Sequence, residues 1–98
     1  MSGWRIFITP AAERAVRKLP KEVQDFVFAQ FPGIVKENPL VGELLSGPLS
    51  WLRSYHFLIK GKPYRIAYSL DYKSRKIHIH YADYRGGFYE RLKQALRK

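Results

Sequence analysis

From Tyr64 onward the sequence alternates between apolar and polar side chains with a period of two residues. This pattern constrains the fold more than any other feature of the sequence. One side of an extended chain would carry Tyr64, Ile66, Tyr68 and Leu70, and the other Arg65, Ala67 and Ser69. In the same way, Ile77, Ile79 and Tyr81 would lie opposite His78, His80 and Ala82. Such alternation is typical of strands with one buried face. A meander of this kind needs helices on its apolar side only, so we expect the other sheet face to stay open.

Turn-forming residues divide this half of the chain into three predicted strands. The strands cover residues 51–59, 64–70 and 75–82, and the turns cover 60–63 and 71–74. A loop rich in glycine and proline is predicted over residues 40–50. A short helix over residues 88–96 follows the strands.

The first half has the period of helices after one short β-prone run at residues 4–8. Thr9 and Pro10 suit a helix N-cap and first turn, and Pro20 ends that helix. A second helical pattern runs from residue 23 to Asn38. Pro32 and the following glycine predict a kink or break, which leaves open one bent helix or two helices. The order strand, helix, helix, three strands, helix predicts one α+β domain over residues 1–98.

The composition excludes several classes of protein. The 98 residues include no cysteine, which excludes a disulfide scaffold, a thiolate zinc site and a cysteine nucleophile. The N-terminal residues do not resemble a signal peptide, and no apolar run approaches the length of a membrane span. We therefore expect a soluble cytoplasmic protein that does not contact a membrane.

The net charge of the chain predicts that it binds polyanions. Eighteen Lys and Arg against eight Asp and Glu give a net charge of +10. A domain this basic attracts nucleic acid, since phosphate contacts supply most nonspecific affinity. There are two alternatives: the charge serves only to keep the protein soluble, or it binds an acidic protein partner.

Three separated stretches carry a resemblance to a known family. They are residues 45–49 with 52–55 (LSGPL and LRSY), residues 64–68 (YRIAY) and residues 84–92 (YRGGFYERL). In order and spacing they resemble the RelE/ParE-type toxin superfamily, and within it the RelE-like mRNA interferases of type II toxin–antitoxin systems. The first half agrees more loosely through its alanine-rich helix and its Asn38-Pro39 pair.

The resemblance implies a fold and an activity. The fold would be a small, twisted, mainly antiparallel sheet packed on an N-terminal helical hairpin, with a short C-terminal helix. The activity would be ribosome-dependent cleavage of mRNA in the A site, without a metal or cofactor, by attack of the 2′-hydroxyl to leave a 2′,3′-cyclic phosphate. Partners would be an acidic antitoxin, mRNA and 16S rRNA of the ribosome, and operator DNA only through the antitoxin complex. A ParE-like inhibitor of DNA gyrase and a non-catalytic RNA-binding protein are the alternatives.

The resemblance also implies catalytic residues. Arg65 corresponds to the arginine of the family's YR strand and is assigned to phosphate stabilisation. Arg53 and Tyr55 are two residues apart, so they share one face of the neighbouring strand. Arg85 and Tyr89 match the terminal arginine and tyrosine that such enzymes use near the scissile phosphate, for charge stabilisation and for stacking or proton transfer.

Four further residues are candidates for RNA binding. Lys60 and Lys62 lie in a turn where they can contact the RNA backbone, and His56 lies near the matched positions. Tyr84 stands where the family often has histidine, so an imidazole is missing there. His78 and the histidine two residues later lack a third ligand, so no metal site is expected.

Overall fold

A computed structural model describes residues 3–97 of the chain as a five-stranded sheet with helices on both faces. The strands are β1 (Arg5–Ile8), β2 (Glu43–Leu44), β3 (Arg53–Ile59), β4 (Lys62–Asp71) and β5 (Lys76–Tyr84). Their order across the sheet is β1-β5-β4-β3-β2. β1 runs parallel to β5, and every other pair is antiparallel. The α+β class and the mainly antiparallel sheet are therefore confirmed.

The N-terminal helices form the predicted hairpin. The first helix, α1 (Pro10–Arg17), begins at Thr9, whose Oγ1 accepts a hydrogen bond from Ala12 N at 3.1 Å. The second arm is an uninterrupted helical run of α2 (Lys21–Asp25), a π-helical segment (Phe26–Gln30) and α3 (Phe31–Glu37).

Pro32 lies in the first turn of α3, directly after the π-helical segment. A proline there lacks an N–H and would crowd the carbonyl four residues earlier, and the wider π turn relieves that conflict. The second arm is therefore one helical run with a local irregularity, and not two separated helices.

The larger core lies between these helices and one face of the sheet. Buried residues from the helices are Ala12, Val16, Val23, Phe26, Val27, Phe31 and Val35. They pack on Phe57, Tyr64, Ile66, Tyr68, Ile77, Ile79 and Ala82 of the sheet. The face predicted to be apolar on β4 is the one the helices cover.

On β5 the alternation reverses at a β-bulge. Ala67 pairs with Tyr81 and Tyr68 pairs with Ile79, so His80 has no partner on β4. The extra residue moves Ala82 to the face covered by the N-terminal helices and Tyr81 to the opposite face. The prediction that Tyr81 shares a face with Ile79 was wrong for this reason.

The sequence had suggested that the opposite face of the sheet is open, but the structure shows that it is partly covered. The last helix, α4 (Phe88–Leu96), packs there, and a second core forms from Leu52, Ala67, Tyr81, Phe88 and Leu92. α4 covers the part of this face around Ala67 and Tyr81 and leaves other regions of it uncovered. One of these regions contains the candidate site.

Two connections differ from the predicted loops. The turn between β3 and β4 consists of Lys60 and Gly61 alone, with φ of 52° and 79°, as in the tight hairpins that suit twisted strands. Lys62 and Pro63 belong to β4 and pair with Ile59 and Leu58. Within the predicted 40–50 loop, β2 adds a short edge strand to β3.

Candidate functional site

The candidate site is a cleft of about 510 Å³ between α4 and the segment that carries β2 and the Gly47–Leu49 turn. It is lined by Glu43, Leu44, Leu45, Ser46, Pro48, Leu49, His56, Arg65, Tyr89 and Lys93. Three of the residues singled out in the sequence, His56, Arg65 and Tyr89, therefore meet in one place.

Arg65 occupies the floor of the cleft, in the middle of β4 and directly opposite His56 of β3. Its Nη1 donates a hydrogen bond to the Tyr89 hydroxyl, and its guanidinium carbon lies 4.9 Å from the centre of the Tyr89 ring. Its Nε is buried and has no hydrogen-bond partner among the described residues. The guanidinium is thus fixed in direction by Tyr89, while its buried Nε makes no hydrogen bond to a described residue.

His56 supplies an imidazole that favours its neutral form. Partial burial lowers the pKa of His56, and the positive charge of Arg65 lowers it further. Glu43 acts in the opposite direction, with its Oε1 3.6 Å from His56 Nε2. A neutral imidazole beside a guanidinium can accept a proton from a substrate bound to that guanidinium.

Further positive charge surrounds this pair. Arg85 follows β5, lines a neighbouring groove with His56 and Arg65, and contributes to the lowered pKa of His56. Lys93 lies one helical turn beyond Tyr89 on the same wall of the cleft. The cleft therefore suits a phosphate group, whose charge these side chains would balance.

Arg53 and Tyr55 share a strand face, as expected, but it is the face covered by the helices. Arg53 Nη1 donates to Gly42 O at 2.8 Å and so holds the segment before β2. The Tyr55 ring packs against Phe31, with ring centres 5.2 Å apart. The structure places both residues on the side of the sheet away from Arg65, since they pair with Tyr68 and Ile66.

The remaining candidates lie at the same end of the sheet as Arg85 but outside the cleft. Lys60 forms an ion pair of 2.5 Å with Glu22 of α2. Lys62 is exposed at the start of β4. Tyr84 is 45 % exposed and packs edge-on against Tyr64, on the helix-covered side.

Of the lining residues that had not been singled out as site residues from the sequence, two carry a charge, Glu43 and Lys93. Lys93 follows Tyr89 by four residues, so helical periodicity places both on one helix face and could have found it. No local pattern marks Glu43, because its position depends on the pairing of β2 with β3.

One partly buried cluster holds α4 against β5. Asp83 accepts hydrogen bonds from Tyr81 Oη at 2.7 Å and from Arg91 Nε at 2.6 Å. Burial and the Asp83 carboxylate raise the pKa of Tyr81 to about 12, so its hydroxyl stays protonated and donates. The cluster fixes the helix that carries Tyr89, and with it one wall of the cleft.

Two features are absent from the part of the chain that the structure describes. Across residues 3–97 no group of three or more His, Asp or Glu side chains is placed to hold a metal ion. Among the helices in that part of the chain, none has both the length and the apolar character to cross a membrane.

Solved structures similar to this chain include bacterial and archaeal toxins. The toxin–antitoxin complex RelBE2 of Mycobacterium tuberculosis matches with a TM-score of 0.73 and 28 % identity, over 87 % of this chain and 94 % of that one. A double mutant of Escherichia coli toxin RelE in the free state matches with a TM-score of 0.74 and 13 % identity, over 97 % and 94 %. The RelE–RelB complex of Pyrococcus horikoshii OT3 matches with a TM-score of 0.54 and 23 % identity, over 88 % and 98 %.

These structures define the class: the molecule has the fold of the RelE-type toxins. The sequence narrows this to a family, because the model of the ParE-like toxin of type II bacterial toxin–antitoxin systems matches residues 6–93. The chain belongs to that family. No protein of curated function matches the sequence.

Proposed function

We propose that this toxin is a ribosome-dependent endoribonuclease that cuts mRNA in the A site. The observation that carries the proposal is the arrangement of Arg65, His56 and Tyr89 in one basic cleft. A toxin that acts only by binding a protein target has no need for a neutral imidazole beside a fixed guanidinium. The combination matches the requirements of metal-free RNA cleavage.

The chemistry follows from the positions of these groups. Neutral His56 takes the proton of the 2′-hydroxyl, whose oxygen attacks the adjacent phosphorus. Arg65 and Arg85 balance the charge that develops on the phosphoryl oxygens. The bond to the 5′-oxygen breaks, and Tyr89 gives that oxygen its proton, while the guanidinium of Arg65 stabilises the negative charge left on the phenol. The products are a 2′,3′-cyclic phosphate and a 5′-hydroxyl.

The proposal includes partners. The net charge of +10 favours an acidic antitoxin as well as mRNA and 16S rRNA. The similar structures from Mycobacterium tuberculosis and Pyrococcus horikoshii are complexes of toxins with antitoxins. We expect the toxin to act in the cytoplasm, where ribosomes are, and to meet operator DNA only as part of the antitoxin complex.

To test this, a defined message is incubated with the toxin, once during translation in vitro and once without ribosomes. The 5′ ends of the products are then mapped by primer extension. Wild type should give breaks at A-site codons that require ribosomes, and Arg65→Ala should lose them. Arg14→Ala, which removes an exposed arginine from α1, is the matched control and should cut like wild type. Thermal unfolding of each variant shows that it is folded. Absence of breaks with folded wild-type protein would refute the proposal.

The ParE-like family match gives gyrase inhibition as a second candidate function. It is tested with the same preparation in a DNA supercoiling assay. Inhibition of supercoiling without message cleavage would assign the toxin to that activity, and the residues of the cleft would then have no catalytic role.

A further inference from the structure

The sheet face that carries the cleft also carries a row of four aromatic rings beside the C-terminal end of α4, where His80 lines a groove with Leu96. Phe7 stacks on His78, with ring centres 5.6 Å apart and ring planes 22° apart. His78 lies 6.3 Å from His80, and His80 lies 5.1 Å from Trp51. The row runs from β1 across β5 to the segment before β3.

The bulge in β5 and one hydrogen bond hold the middle of this row. His80 is the residue that the bulge leaves without a partner on β4. Its Nε2 lies 2.8 Å from Ser69 Oγ, which fixes the direction of the imidazole. The two outer rings remain accessible, since Phe7 is 43 % exposed and Trp51 is 51 % exposed. Large flat rings presented to solvent on neighbouring strands can stack with unpaired bases.

Two cations stand at the end of the row. Arg5 and Lys76 are paired across β1 and β5, and both approach the Phe7 ring, at 6.0 Å and 5.6 Å. Neither forms an ion pair within residues 3–97. The nearby carboxylate of Asp71 accepts hydrogen bonds from backbone N–H groups of its own turn. The hydrogen bonds of that turn lower the pKa of the carboxyl, and the charge of Lys76 lowers it further. The surface therefore combines stacking rings with two cations that form no ion pair within residues 3–97.

We propose that this surface, formed by Arg5, Phe7, Trp51, Lys76, His78 and His80, binds single-stranded RNA. The rings would stack with bases while Arg5 and Lys76 contact the backbone. Arg65 and Ser69 are four residues apart on β4, which places the surface about 13 Å along the strand from the cleft. Ala67 lies between these two residues on this face and is buried in one cluster with residues of α4. This is therefore a second binding surface and not an extension of the cleft.

The proposal is tested with a short single-stranded oligonucleotide of 2′-O-methyl RNA, labelled with a fluorophore. It has no free 2′-hydroxyl, so binding is measured without cleavage. By fluorescence anisotropy, Phe7→Ala and Trp51→Ala should each weaken binding about five-fold or more, as expected for loss of one stacked base. Phe7→Leu, which keeps apolar volume in the edge strand, should also weaken binding.

Phe28→Ala is the matched control. Phe28 is an exposed phenylalanine, at 39 %, with Arg17 5.5 Å from its ring, but it lies in the helical layer. Its removal should leave the affinity unchanged. Equal affinities for wild type and both Phe7 variants, or an equal loss in Phe28→Ala, would overturn the proposal. So would Phe7 variants that bind RNA normally but no longer bind an antitoxin.

A second readout separates this surface from the cleft. In a Trp4→Phe variant, the fluorescence of Trp51 should be quenched when the oligonucleotide stacks, and Arg65→Ala should not remove the quenching. Absence of quenching in the folded variant would also overturn the proposal. Quenching in a toxin that cuts no message would refute the proposed nuclease function alone. Cleavage together with unaltered binding by the ring variants would refute the second surface alone.

Discussion

Replacing Tyr68 by phenylalanine removes one oxygen atom and two hydrogen bonds, one buried and one partly buried. Tyr68 Oη accepts from Gly42 N at 2.8 Å and donates to Pro39 O at 2.8 Å. The side chain is completely buried, and burial raises the pKa of its hydroxyl. The backbone of Gly42 lies so close that a Cβ there would be 2.8 Å from the Tyr68 ring. In the variant, the Gly42 N–H would therefore face the edge of the phenylalanine ring.

The magnitude follows from what is left unpaired. A buried N–H without a partner costs about 1–3 kcal/mol, and the carbonyl of Pro39 adds the net value of one more hydrogen bond. We expect the free energy of unfolding of Tyr68→Phe to fall by about 2–3 kcal/mol. For a domain of this size the Tm should then fall by about 10–20 °C.

Urea and thermal unfolding followed by circular dichroism measure both quantities. Tyr64→Phe is the control, since Tyr64 is also buried but its hydroxyl makes no hydrogen bond within the described residues. It should change the free energy of unfolding by less than about 0.5 kcal/mol. If the two variants have the same stability, the reasoning about the Gly42 N–H is wrong.

Three further predictions concern α4 and the pH dependence of stability. Asp83→Asn removes the charge that Tyr81 and Arg91 share, and should lower the free energy of unfolding in urea by about 1–2 kcal/mol, a modest value because Arg91 is partly exposed. Leu92→Ala leaves a cavity beneath α4 and should lower it by about 2–5 kcal/mol in the same assay. Burial and the charge of His78 lower the pKa of His80 below its ordinary 6.5, so the unfolded chain binds more protons. The Tm should therefore fall as the pH drops below 6.5, and His80→Gln should reduce that fall to the part that His56 contributes.

The elements of the fold were largely predictable because their signals are local. The alternation of β4, the Thr9 cap and the apolar stripes of the helices each depend on neighbouring residues. The predictions were wrong where pairing with a neighbouring strand decides which face a side chain lies on. The bulge at His80 is a property of the pairing between β4 and β5, and it exchanged the faces of Tyr81 and Ala82.

The site was predictable in part for the same reason. Arg65 and Tyr89 carried a family motif, and the structure brings them into contact. The strand face of Arg53 and Tyr55 could be predicted as shared, but not as the one the helices cover, since that depends on the register between β3 and β4. An amphipathic helix such as α4 shows that it buries one side, but not which face of the sheet receives it.

The parallel pairing of β1 with β5 has a consequence for synthesis of the chain. Arg5 finds its partner only when Lys76 has been made, about 70 residues later. At about 5–20 residues per second, translation needs roughly 4–14 seconds to cover that distance. During those seconds β1 is an unpaired edge that chaperones can hold. Tyr89 follows β5 in the chain, so the growing polypeptide has no assembled cleft throughout that interval.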